Sequence, residues 1–202
     1  MTSITKITVT CFLFSLSYAF PVFSQDIYED SIRTFQKNYV NTHEVVKGAD
    51  KKAMAFYPVD KTYKVKASFE KSAESKWIHF PTSGKLTKVF KAFGALSFTL
   101  HGQPHKLIAY QSQDLMASPE LASYLFLPFT DLTTGKETYD GGRYIDLSIT
   151  DIRDGFLELD FNKAYNPYCA YVSGIYNCPI PPKENALSIA IKAGERNFSR
   201  QH

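Results

Sequence analysis

Two different spacings of hydrophobic residues divide the chain into a helical beginning and a strand-rich remainder. In the segment 26–43, Tyr28, Ile32, Phe35 and Tyr39 recur at helical spacing, with charged and polar residues between them. This spacing places one hydrophobic stripe along an α-helix. We therefore predict an amphipathic helix that packs its stripe against the rest of the domain.

Further along the chain the hydrophobic period changes to two. Tyr63, Val65, Ala67 and Phe69 alternate with polar side chains, which is typical of a strand with one buried face. Turn signals rich in glycine separate the later segments, so about eight or nine short strands are predicted in all. The further strand segments are KWIHFP, KLTKVFKAF, ALSFTLHG, HKLIAYQSQ, YLFLPFTD, KETY, RYIDLSI and FLELDF.

The order of these elements predicts the fold class. Tight turns between short strands favour antiparallel neighbours. One helix followed by many such strands predicts a mainly β single domain with an N-terminal helix and a strongly curved antiparallel sheet. The pattern fits a barrel-like form and a sandwich equally well.

The first 24 residues have the order of a secretory signal peptide. Lys6 precedes an apolar run over residues 7–23, which is shorter than the roughly 20 apolar residues of a membrane-spanning helix. We predict cleavage near Ser24, which leaves one domain over residues 25–202 and no stable membrane span. The predicted location is exported, either periplasmic or extracellular.

Composition restricts the classes of partner. The chain has 23 Lys and Arg against 20 Asp and Glu, a formal net charge of +3, and this basic excess is too small to indicate a nucleic-acid partner. No glycine-rich phosphate loop or nucleophile-elbow serine motif is present, and no cofactor is predicted. His101 and His105 flank a turn, but a metal site needs further ligands that the sequence does not indicate, so no metal is predicted.

Arg143 is the first candidate for a binding residue. Alternation in RYIDLSI puts Ile145 and Leu147 on the buried face, which turns Arg143 inward. Burial of a guanidinium is unfavourable unless a carboxylate or a bound anion faces it. We expect Glu137, Glu195 or a ligand to be its partner, so a structural ion pair and an anion-holding pocket both stay open.

The segment 159–185 contains the other candidates. Asn162, Asn166 and Pro167 should interrupt the last strand, because asparagine caps turns and proline lacks an N–H donor. Tyr165, Tyr168 and Tyr171 offer flat amphipathic surfaces, and PIPPKEN gives a stiff return path. The segment is either a plug over the open end of the sheet or one side of a ligand pocket. The predicted pocket residues are Arg143, Asn162, Asn166, Tyr171, Asn185 and Glu137.

Cys169 and Cys178 are the cysteines left after removal of the predicted signal peptide. In an exported protein, two cysteines at this spacing most simply form a disulfide. Such a bond would contribute roughly 2.7 kcal/mol through the entropy of loop closure. A nucleophilic thiol is the alternative, although no histidine lies nearby in the sequence.

Longer motifs in the same region resemble a known family. The run LPFTDLTTGKETYDGGRYIDL, followed by LDFNKAYNPYCAY, YNCPIPPKENAL and IKAGE, is similar to the uncharacterised bacterial family called domain of unknown function 1684. MAFYPVDKTYKVKASFEK resembles its earlier half. The family has no established activity, so the resemblance implies a fold and a site without a reaction. Members without a signal peptide carry the same cysteine pattern, which leaves thiols or metal ligands as alternatives to a disulfide.

Two classes of function follow from these residues. The first is a non-catalytic exported module that binds a small molecule, with Arg143 on a polar group and tyrosines stacked on the rest. The second is a small hydrolase or transferase with Asp160, Glu137, Glu184 or a free Cys169 as base or nucleophile. Because no recognised catalytic constellation is present, we favour the binding module.

Overall fold

The computed structural model describes residues 20–73 and 75–199, with side chains from Ile27 onward. A long helix, α1, extends over Phe20–Thr42, where the hydrophobic spacing predicts a helix. Ile32 in its middle is buried. The predicted signal peptide lies mostly outside the described residues.

Seven strands of the described chain form one antiparallel sheet with the order β6-β5-β4-β3-β1-β7, and β2 pairs with β3. The strands are β1 (Lys64–Lys71), β2 (Trp77–Phe80), β3 (Lys88–Leu100), β4 (Gln103–Ser112), β5 (Tyr124–Phe129), β6 (Arg143–Ser148) and β7 (Phe156–Asp160). A short helix, α2, covers Gln113–Met116. The 3-10 helices are Gly48–Ala53, Lys61–Tyr63, Pro119–Leu121, Ile149–Asp151, Phe161–Lys163, Tyr168–Ala170 and Lys183–Asn185.

The sheet is a strongly curved half-barrel. β6 and β7 are its two outer strands, yet only residues 149–155 connect them. A segment of this length spans at most about 25 Å, so the outer strands must approach one another. Ile32 of α1 lines a cavity together with Ile145 of β6 and Glu158 of β7, which places the helix over the gap between them. The domain therefore has the barrel-like form and not the sandwich, the two forms that the sequence fits equally well.

Three of the predicted strand segments differ from the structure. KLTKVFKAF and ALSFTLHG were expected as separate strands but form the single strand β3, with a bulge between Ala92 and Gly94. A Cβ atom on Gly94 would lie 2.3 Å from the Phe69 ring, so this glycine allows close packing and does not mark a turn. KETY is also not a strand, because the amides of Lys136 and Glu137 bond locally to the Thr133 carbonyl.

Protein side chains fill the inner side of the half-barrel. Leu96, Leu125 and other residues of the sheet pack against Leu187, Ile191 and Ala193 of the C-terminal segment. The outer face carries a separate aromatic cluster of Phe80, Phe90, Tyr110, Phe126 and Tyr144. Because hydrophobic core fills the inner side, a binding surface is expected on the aromatic outer face.

Candidate functional site

Arg143 is fully buried and belongs to a structural ion pair. Its Nη2 donates to Asp131 Oδ2 at 2.9 Å and to the Ile191 carbonyl at 2.8 Å. Its Nη1 donates to the carbonyls of Ala193 at 2.5 Å and Glu195 at 3.1 Å. Burial lowers the pKa of Arg143, and the Asp131 carboxylate opposes this shift. The guanidinium therefore attaches the C-terminal segment to β6 and β5, and it does not line the cavity between α1 and the two outer strands.

The carboxylate partner of Arg143 differs from the predicted ones. Glu195 contributes its main-chain carbonyl, while Glu137 lies at the surface within 3.2 Å of Lys192. Pairing of β5 with β6 places Phe129 opposite Arg143. Asp131 follows two residues after Phe129, and this hairpin register was the sequence signal that could have identified it.

Asn166 and Tyr171 meet around the buried side chain of Glu195. The Tyr171 hydroxyl lies 2.7 and 2.8 Å from the two carboxyl oxygens. The main-chain N–H of Asn166 donates to Glu195 Oε2 at 2.9 Å. The Tyr39 hydroxyl of α1 lies 3.2 Å from that of Tyr171. Burial raises the pKa of Glu195 to about 7. The cluster attaches α1 to the C-terminal segment through groups that are largely removed from water.

The side chains of Asn162 and Asn185 form hydrogen bonds with main-chain N–H and C=O groups that have no partner on a neighbouring strand. The Asn162 side chain accepts from the Asp60 amide at 3.0 Å and donates to the Asp60 carbonyl at 2.8 Å. The Asn185 side chain accepts from the Ile108 amide at 2.8 Å and donates to the carbonyls of Ile108 and Pro128. Both side chains act as short replacements for a missing strand.

The predicted pocket residues do not share one cavity. Three of them contact Glu195: Arg143 donates to its main-chain carbonyl, whereas Asn166 and Tyr171 donate to its carboxyl group. Three others lie apart from that group: Asn162, Asn185 and Glu137. Their polar atoms bind the backbone or neighbouring side chains, because an irregular buried segment needs such partners for its amides and carbonyls. These contacts favour the architectural interpretation of the segment.

An aromatic cleft of about 910 Å³ lies beside the C-terminal half of α1. The walls come from α1, from β6 and from the segment 165–179. Leu86 and Ile175 at its rim are 63% and 66% exposed. Six phenyl and phenol side chains line the cleft: Phe35, Tyr39, Tyr144, Tyr165, Tyr168 and Tyr176.

The sequence identified only part of this cleft. Tyr165 and Tyr168, two of the three tyrosines expected to offer flat surfaces, do line it, whereas Tyr171 is buried behind it. Tyr144 was missed because alternation in β6 was read for the inward face alone. Its outward position between Arg143 and Ile145 was the available signal.

The charged groups of the cleft have mostly internal partners. Asp146 accepts hydrogen bonds from the hydroxyls of Tyr124 at 2.7 Å and Tyr165 at 2.6 Å. The ammonium of Lys163 lies 5.7 Å from the centre of the Phe35 ring. Among the described residues no carboxylate forms an ion pair with Lys163. The cleft thus combines a large aromatic surface with one cation that is available to a ligand.

His43 closes the inner end of the cleft in its neutral form. Its Nδ1 accepts from the Val46 amide at 2.9 Å, which leaves the ring proton on Nε2. Burial, followed by the charges of Lys51 and Lys47, lowers the pKa of His43. The imidazole ring stands edge-on to Tyr171 with 4.5 Å between ring centres. Packing with aromatic rings is therefore its main role in the described structure.

Cys169 and Cys178 form a disulfide, with their Cα atoms 6.3 Å apart. This separation is within the limit of about 7 Å for such a bond, and the prediction of a disulfide is confirmed. Cys178 also lines the aromatic cleft. The bond therefore closes the loop that forms one wall of the cleft.

Comparison with known proteins places the chain in a family. The model of the family described as "Protein of unknown function (DUF1684)" matches residues 50–196. The chain belongs to this family. The fold is similar to the solution NMR structure of an uncharacterised protein from Haloarcula marismortui, with 29% sequence identity, a TM-score of 0.64, and coverage of 86% of this chain and 96% of that one. No curated protein matches the chain.

The histidines of the described chain do not form a metal site. In residues 20–73 and 75–199, no three histidine, cysteine or acidic side chains are grouped so that they could hold a metal ion. His105 instead tilts against the Phe98 ring, and His101 packs edge-on to Tyr63. No helix within these ranges is long and apolar enough to cross a membrane.

Proposed function

We propose that this protein is an exported binding module that holds a small, flat and largely apolar ligand in the aromatic cleft. The cleft itself carries the proposal, because its volume of about 910 Å³ lies in the range of roughly 300–1,000 Å³ that is typical of small-molecule sites. Tyrosine rings suit such a ligand, since they offer apolar faces and hydroxyls at their edges. Lys163 would pair with an anionic or carbonyl substituent, the role first expected of Arg143.

The catalytic alternative has weaker support. Cys169 is held in the disulfide and is not a free nucleophile in this state. Asp160 is buried and accepts from the Tyr28 hydroxyl, while Glu184 faces the Tyr110 hydroxyl at 3.2 Å. None of these three residues, nor Glu137, lines the aromatic cleft.

Anilinonaphthalene sulfonate, a planar aromatic anion, is a suitable probe of the cleft. We expect saturable binding by the folded protein and a loss of affinity on the order of tenfold for Tyr176→Ala, because truncation removes one aromatic wall. Phe156→Ala is the matched control, since Phe156 is an exposed ring on β7 that does not line the cleft. Fluorescence titration measures all three affinities. Equal affinity in Tyr176→Ala and wild type would remove the cleft as the binding site.

The export part of the proposal rests on the order of charged, apolar and small residues in the first 24 positions. The disulfide agrees with an oxidising location. Protein recovered from the native host is expected to begin near Gln25, as determined by N-terminal sequencing. A Leu13→Arg variant, which interrupts the apolar run, should keep Met1 and stay inside the cell. An intact Met1 on the wild-type protein would contradict export by this route.

A further inference from the structure

The disulfide lies in a position from which it controls the shape of the aromatic cleft. The cleft is lined by Tyr168, which directly precedes Cys169 in the chain. It is also lined by residues of the loop that the bond closes, among them Ile175, Tyr176 and Cys178. The residues 173–176 are exposed and form no helix or strand. The disulfide therefore restrains a wall that has little regular structure of its own.

Ser83 is placed to assist cleavage of this bond. Its hydroxyl lies 2.9 Å from Cys169 Sγ and accepts the Cys178 amide at 3.1 Å. A disulfide sulfur carries no hydrogen, so the serine is the donor in the contact with Cys169. A donor at this sulfur stabilises a thiolate there, and a stabilised thiolate is the better leaving group in thiol–disulfide exchange.

We propose that the disulfide is a reducible switch for ligand binding, in which cleavage releases the 169–178 wall and weakens the aromatic cleft. The inference rests on the proposed binding function. Both cysteines are half-buried, and Cys178 faces the cleft, so a small dithiol can reach the bond. The ligand and the reductant would then approach from the same side, and a bound ligand would protect the disulfide.

The exchange conserves atoms and electrons. A thiolate of the dithiol attacks Cys178 Sγ, the sulfur–sulfur bond breaks, and Cys169 leaves as a thiolate that accepts a hydrogen bond from Ser83. The second thiol of the reductant then attacks the mixed disulfide and releases Cys178. Two electrons and two protons pass to the cysteine pair, and the dithiol becomes a disulfide.

The first test compares anilinonaphthalene sulfonate binding by the oxidised protein, the dithiothreitol-reduced protein and the Cys169→Ser/Cys178→Ser variant. We expect affinity to fall about tenfold in the last two, because the wall must be ordered when the probe binds. Far-UV circular dichroism should stay close to that of the oxidised protein. Unchanged affinity after reduction, or loss of the far-UV signal, would overturn the switch. Absence of binding by the oxidised protein would instead remove the proposed function itself.

The second test concerns Ser83 and measures the rate of reduction of the disulfide. Ser83→Ala is expected to slow reduction by dithiothreitol about tenfold, measured by thiol titration, and Ser83→Thr should restore most of the rate. Thr82→Ala is the control beside it. Equal reduction rates in all three variants and the wild type would exclude the positioning role of Ser83. Saturating probe should also slow reduction of the wild-type protein, and no protection would contradict the shared approach.

Discussion

Replacement of Asp131 by asparagine is expected to lower the free energy of unfolding by about 3–5 kcal/mol, because it leaves the buried Arg143 charge without its carboxylate. Both side chains are essentially removed from solvent, and their contact is 2.9 Å long. Water cannot reach the buried guanidinium and solvate it, so the loss of its attraction to the carboxylate lowers the stability of the fold directly. Urea unfolding, followed by circular dichroism, measures the change.

Two further variants test the explanation. Glu137→Ala breaks the exposed pair with Lys192, so the urea midpoint should stay near that of the wild type. Asp131→Leu combined with Arg143→Met removes both charges together and should recover part of the stability lost in Asp131→Asn. If Asp131→Asn were no more destabilising than Glu137→Ala, the ion pair would not be an architectural element.

Glu195→Gln is expected to remove much of the pH dependence of stability between about pH 5 and pH 8. Burial raises the pKa of Glu195 to about 7 from an ordinary value of 4.5, while the Asn166 amide, Tyr171 and Arg143 oppose this shift. The folded protein thus binds a proton more tightly than the unfolded chain. Stability from this group is fully present below pH 4.5 and is lost as pH rises through 7, a total of roughly 3 kcal/mol.

Glutamine suits the site because its oxygen can accept from the Asn166 amide and its nitrogen can donate to the Tyr171 hydroxyl. Urea unfolding of both proteins at several pH values gives the comparison. The wild type should lose stability toward high pH, while Glu195→Gln should stay nearly constant apart from contributions of other groups. Parallel curves for the two proteins would show that Glu195 does not titrate in this window.

The predicted helix and most predicted strands are present because local spacing is enough to define them. The stripe of Tyr28, Ile32 and Tyr39 fits the helical period of 3.6 residues and does not fit a strand. The alternation around Ala67 fits the strand period of two and does not fit a helix. The mistakes came where tertiary contacts override a local signal. Gly94 looked like a turn, but it is the place where the Phe69 ring packs against the β3 backbone.

The candidate site shows the same division. The motif residues Asn162, Asn166 and Asn185 were noticed because polar residues in a hydrophobic region are unusual, yet their partners include main-chain groups that no sequence pattern indicates. The aromatic cleft requires Phe35 of α1 to meet Tyr144 of β6 and Tyr176 of the disulfide loop. These three residues are far apart in the sequence, and each taken alone looks like an ordinary hydrophobic position.

The amino-acid sequence by itself determined the helix, the antiparallel strands, the family and the cysteine pair, because these depend on hydrophobic period, turn residues and recognisable motifs. Tertiary structure alone decided the half-barrel form, the pairing of Arg143 with Asp131, and the cleft beside α1. The physical reason is that curvature and side-chain partners depend on contacts between distant segments, where burial selects one arrangement from several that local patterns allow equally.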